Sequence, residues 1–173
     1  MKRDFAFPTV FALALALALA LALALTSANA PASPVQVEFV KPDKFTDAGR
    51  AFDVAERERN LEGLKRHLVA QGARRLAPGE TLSVAVTDVD LAGSYEARQR
   101  YTNEVRIVRD AYPPRIELDF RVARADGSVV KEGHRNLRDS SFMMGSNRYA
   151  GDALRYEKVL LDDWLERELT RSP

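Results

Sequence analysis

Residues 142–156, FMMGSNRYAGDALRY, bring aromatic rings, thioethers and guanidinium groups together in one short stretch. Phe142, Tyr149 and Tyr156 offer ring surface. Arg148 and Arg155 offer planar donor forks suited to carboxylates or peptide carbonyls, and Asn147 adds an amide next to Arg148. Tyr, Met and Arg are the residue types that protein interfaces favour. Gly145 and Gly151 let the chain turn tightly or approach a ligand. Some of these rings must close a sheet edge and seat the last helix, which is the plainer reading; the remainder form a candidate groove, the best surface candidate in the chain.

A weaker candidate is the pair Asp88 and Asp90, which share one face if the strand carrying them persists. Two carboxylates could help to hold a hard cation such as Ca²⁺, but the twelve-residue loop spacing is absent and no third ligand can be named. The simpler expectation is that they end the strand, with Asp90 turning back on its own backbone before Gly93. No metal and no cofactor is predicted. The two histidines, His67 and His134, show no H-x-x-x-H or H-E-x-x-H spacing. His67 is expected as a surface or boundary residue of a helix, and His134 on or just past a hairpin strand. There is no cysteine to act as a thiolate, and no G-x-S-x-G elbow. Glu117 and Asp119 share a strand face, as a glycosidase pair would, yet Arg115 and Arg121 flank them and make cross-strand charge balance the plainer reading. A hydrolase with an unrecognised site stays open as a minor alternative.

The elements that must position these residues follow from periodicity. Val35, Val37 and Phe39 alternate with Gln36 and Glu38, the pattern of a half-buried strand. Asp53 caps a helix with Glu56 as its reciprocal partner. In that helix Val54, Leu61, Leu64 and Leu68 share a side, and Gly72 offers a stop. Leu82, Val84 and Val86 face inward on the next strand; the alternation slips at Asp88 and passes into a loop around Gly93. Val105 and Ile107 suggest a short strand, and Tyr112–Pro114 interrupts the chain. Ile116, Leu118, Phe120 and Val122 mark the strongest strand, and Asp126-Gly127 is a hairpin turn that brings Ser128–Lys131 back alongside. A last helix, from about Asp152 to Glu168, turns Leu154, Leu160, Leu161, Trp164 and Leu165 inward and Asp162, Asp163, Glu166 and Glu168 to solvent. The predicted order is β-α-β-β-β-β-α: a single α+β domain over 35–168, with two helices on a largely antiparallel, curved sheet.

Residues 1–30 read as an export leader. Lys2 and Arg3 precede an apolar run that ends in seven Ala-Leu pairs from Ala12 to Leu25, long enough for a secretory core segment. Cleavage is expected after residue 28 or 32, because Ala30 is followed by Pro31, whose nitrogen is a poor leaving group. The alternative is an uncleaved anchor, and membrane contact is expected only through this helix, transient or permanent. Of 26 Lys+Arg and 25 Asp+Glu, two and one fall in the leader, leaving 24 of each. That balance gives no basic stripe for nucleic acid. The expected compartment is the periplasm, with an inner-membrane tether facing it as the alternative.

Four motifs, VEFVKPDKFTDAG at 37–49, VTDVDLAG at 86–93, PRIELDFRV at 114–122 and FMMGSNRYAGDALRYEKVLLDDW at 142–164, resemble the bacterial family named domain of unknown function 3016. The resemblance spans about Val35 to Glu168. It implies a small exported protein of proteobacteria and carries over no catalytic residue. The loop at 94–108 lacks the glycine-rich stretch expected there, so a phosphate or sugar role for it does not follow. With no assembled nucleophile, base or metal set, the expected function is an interaction or accessory module of the cell envelope, whose partner is an envelope protein. Peptidoglycan or another small anionic ligand, met by Arg148 and Arg155, is the alternative.

Overall fold

The computed structural model describes residues 33–96, 105–145 and 148–169. The expected leader and Asn147 lie outside the described residues. Strands β1 (Val35–Phe39), β2 (Glu80–Asp90), β5 (Arg115–Arg124) and β6 (Val129–Arg138) form one sheet in the order β1-β2-β5-β6. Strands β3 (Ser94–Glu96) and β4 (Val105–Ile107) pair separately. Helices α1 (Val54–Arg75) and α2 (Arg155–Leu169) contribute Leu61, Leu64, Leu68, Leu160, Leu161, Trp164 and Leu165 to one core with the inward residues of the sheet. Among the described residues no helix is long and apolar enough to cross a membrane.

The α+β class and approximate order agree with the sequence, with two differences. The sheet is mixed, because β1 runs parallel to β2 while β2-β5 and β5-β6 are antiparallel. A parallel neighbour needs a long crossover, and α1 supplies it. The order also gains a strand, since Ser94–Glu96 pairs with β4 where a loop was expected. A side chain at Gly93, with φ of 83°, would put its Cβ 2.5 Å from the Ile107 carbonyl oxygen, so only glycine lets the β2-β3 turn sit against β4.

Asp53 caps α1 by accepting from the Glu56 backbone N–H at 2.9 Å. Glu56 does not return the bond as expected; its carboxylate takes the Arg50 backbone N–H and guanidinium instead. Val54, the first helical residue, is exposed rather than part of the apolar stripe. The helix also runs past Gly72 to Arg75. Gly72 serves close packing, because a Cβ there would lie 3.1 Å from a Val35 methyl. The hairpin at Asp126-Gly127 forms, but β6 continues to Arg138 rather than ending near Lys131. Its inward Lys131 and Arg135 pair with Glu168 of α2, closing the sheet edge with charge.

The slip at Asp88 is a β-bulge. Val86 pairs with Leu118 and Asp88 with Glu117, which leaves Thr87 unpaired. Before the bulge the even-numbered residues Leu82, Val84 and Val86 are buried; after it the odd-numbered Val89 and Leu91 are. Asp88 and Asp90 thereby face away from the core, where continued alternation would have pointed both into it.

Candidate functional site

Two charged regions stand out. The first is the seam between the helices. Asp162 of α2 has a side chain only 3% exposed, and its Oδ1 accepts from His67 Nε2 of α1 at 2.9 Å. A carboxylate has no hydrogen to give, so this ring nitrogen carries the proton. Oδ2 accepts from the Tyr149 hydroxyl at 2.6 Å and lies 3.5 Å from Arg148 Nη1. The Tyr149 ring stands edge-on to His67 at 5.2 Å. Burial, then the bond to Asp162, pushes the Tyr149 hydroxyl up to about 12. Burial also lowers the His67 pKa against the raising pull of Asp162.

His67 is therefore buried, not a surface or boundary histidine, and Asp162 is buried, not part of a solvated face. Each sits at the border of its helix's apolar stripe. When two helices lie side by side on one sheet, their borders face each other and become the helix-helix seam. That was the available signal: one polar residue on each border, able to meet. The trio has the residue types of an acid-base relay. Yet the tyrosine and the imidazole both donate into the same carboxylate, which ties the 148–152 loop to both helices.

The rest of the 142–156 segment divides in two. Phe142 is buried and meets the Tyr156 ring edge-on at 4.7 Å. Arg155 lies over the Tyr156 ring at 4.4 Å and donates from Nη2 to its hydroxyl at 2.8 Å. Met143 and Met144 point outward, 51% and 88% exposed, and Arg148 reaches Asp163 at 3.8 Å from a half-exposed position.

The second region is a basin at the ends of the strands. Asp47 bridges to Asp90, Asp90 pairs with Arg115, and Arg115 with Arg138. Four charged residues thus form one row across the chain, two acids followed by two bases. They line a cavity of about 230 Å³ with Gly93, Ser94, Ala111, Tyr112 and Pro113. Asp47 takes Arg106 Nη2 at 2.6 Å. Arg106 lies over Tyr95 at 4.4 Å, and its Nη1 donates to the Leu91, Ala92 and Gly93 carbonyls at 3.3–3.4 Å. The Tyr95 hydroxyl donates to Glu56.

Asp88 is fully engaged: it accepts from Thr46 N and Oγ1 and from Arg115 Nη2, each at 2.7 Å. Arg115 Nη1 goes to Glu117 at 2.7 Å. Asp90 retains only a long contact, 3.8 Å to Arg115 Nε, and does not turn back on its own backbone as the sequence suggested. Burial raises its pKa against Arg115, and the nearby Asp47 and Asp88 charges raise it further. The Arg138 side chain makes no ion pair or hydrogen bond among the described residues. Close by, the buried Glu157 accepts the Ala92 N–H at 2.7 Å, and burial raises its pKa. Among the described residues no group of three or more His, Cys, Asp or Glu is placed to hold a metal ion.

Sequence reasoning singled out Asp88 and Asp90 but not Asp47, Arg115 or Arg138 as the row partners of Asp90. Only strand register brings those residues together.

The chain matches, over residues 33–167, the family described as Protein of unknown function (DUF3016), and it belongs to that family. No curated protein and no solved structure matches it.

Proposed function

We propose that this family member is an exported accessory module of the bacterial envelope, acting in the periplasm by binding an envelope protein. The leader composition supports the export part of this reading. The contact part is carried by one observation, the seating of Asp162. By accepting from His67 and Tyr149 it holds Tyr149 against both helices, so the Tyr149 part of the contact surface is in place before any partner arrives. Ordering in advance lowers the entropy cost of association. Exposed methionines beside an arginine and a tyrosine-arginine stack are interface chemistry.

The test is native co-purification from the envelope fraction with full-length wild type and a Met143→Ser/Met144→Ser variant, with proteins identified by mass. The expected result is a partner whose recovery falls at least about tenfold, or roughly 1.4 kcal/mol, in a variant that melts like wild type. Equal recovery would remove the loop as the contact surface.

A second reading, recognition of peptidoglycan or another anionic envelope ligand, draws on Arg155. Its fork is stacked on Tyr156 and forms no hydrogen bond to a carboxylate among the described residues. Retention on purified sacculi at low salt, lost in Arg155→Gln, is the expected result for it. No retention by wild type would count against it.

A further inference from the structure

We infer that the basin at the strand ends is a binding site for a small zwitterion, a molecule carrying both a free ammonium and a free carboxylate, with the ammonium at Asp90 and the carboxylate at Arg138. The row Asp47-Asp90-Arg115-Arg138 is the first ground. Like charges directly opposite on neighbouring strands repel, and this row contains two such pairs side by side, one of each sign. One member of each like-charged pair is partly neutralised: Asp47 by Arg106, and Arg115 by Asp88 and Glu117. What is left, among the described residues, is a carboxylate with one long contact at Asp90 and a guanidinium with no partner at Arg138. Both line the same cavity.

A simple anion would satisfy Arg138 and leave Asp90 without a cation. A simple cation would do the reverse. A zwitterion does both at once, and so removes both repulsions.

Size narrows the class. At about 230 Å³ the cavity falls below the roughly 300–1,000 Å³ of sites for drug-sized ligands. Asp90 and Arg138 are two strand steps apart, about 10 Å between backbones, and the long arginine side chain closes much of that distance. An extended residue spans about 3.5 Å, so the end charges of an amino acid or a dipeptide fall within the remaining gap. Tyr112 and Pro113 give the apolar wall for the body of such a ligand. This site is separate from the methionine surface, and its test leaves Met143 and Met144 untouched.

The experiment is isothermal titration calorimetry of the full-length chain with glycylglycine. N-acetylglycylglycine, which lacks the ammonium, and glycylglycinamide, which lacks the carboxylate, are titrated in parallel. The expected result is saturable binding of glycylglycine, with both capped forms at least tenfold weaker. Arg138→Gln and Asp90→Asn should each weaken glycylglycine at least tenfold, with melting curves like wild type. Absence of saturable heat up to roughly ten times a millimolar Kd, equal binding of a capped form, or wild-type affinity in either variant would each overturn the assignment.

Discussion

The helix seam and the strand-end basin use the same materials, carboxylates set among arginine, tyrosine and histidine or a second acid, yet they are finished differently. Asp162 is sealed, with donors arriving from α1 and from the loop ahead of α2. Asp90 is open, its side chain 34% exposed against 3% for Asp162, and its one ion-pair contact is long. In a dry site a satisfied carboxylate holds elements together, and removing a partner is costly. In a wet site an unmatched charge costs the fold little and stays available to a ligand. Similar chemistry makes a tie in one place and a receptor in the other, and the difference lies in burial and in which donors are already engaged.

The largest effect should come from the sealed side. Asp162→Ala leaves the His67 and Tyr149 donors without their acceptor and, at about 1–3 kcal/mol for each orphaned donor, is expected to cost about 2–5 kcal/mol, read by urea unfolding. A melt like wild type would mean that the seam is not a tie. Gly93→Ala comes next. It forces a side chain into φ of 83° and against the Ile107 carbonyl, and about 1–3 kcal/mol should be lost, with the β3-β4 pair displaced from the basin.

Tyr149→Phe removes one hydrogen bond and should cost about 1 kcal/mol at neutral pH. Its sharper signature is in alkali. The folded chain keeps the Tyr149 proton up to about 12, while the unfolded chain loses it near 10. The folded state therefore binds more protons between those values, and wild-type stability must fall as pH rises through that window. The fall should be shallower in Tyr149→Phe, and parallel curves would show that this hydroxyl is not buried against Asp162. The smallest effect belongs to the open side: Asp90→Asn should change stability by less than about 1 kcal/mol. A loss as large as that of Asp162→Ala would erase the distinction between the regions.

Local pattern made much of this legible. The alternation in β1 and β5, the Asp53 cap, the Asp126-Gly127 turn and the short strand at Val105 and Ile107 all depend on near neighbours, and all are present. What depended on distant partners was not legible. The parallel pairing of β1 with β2 is decided by how α1 crosses, and the meeting of His67 with Asp162 by how two helices lie together. Of the 142–156 residues chosen by composition, Tyr149 turns its hydroxyl inward and Phe142 is buried, because composition does not distinguish a ring that contacts a partner from one that anchors a loop. The break in alternation at Asp88 was visible, but the partner strand was needed to show what it did for the two carboxylates.

The bulge at Thr87 also bears on how this domain tolerates changes in length. A strand has a two-residue reading frame, and deleting one residue from a regular strand inverts every side chain downstream. Strand β2 changes frame by itself, and Thr87 is the residue that absorbs the change. Deleting Thr87 alone leaves Leu82, Val84 and Val86 inside, Asp88 and Asp90 outside, and Val89 inside. It also removes a buried hydroxyl that has no hydrogen-bond partner among the described residues. The middle of the sheet thus holds one position where a residue can be lost without exchanging core for surface, and a shortened chain would keep both its hydrophobic interior and its row of charges.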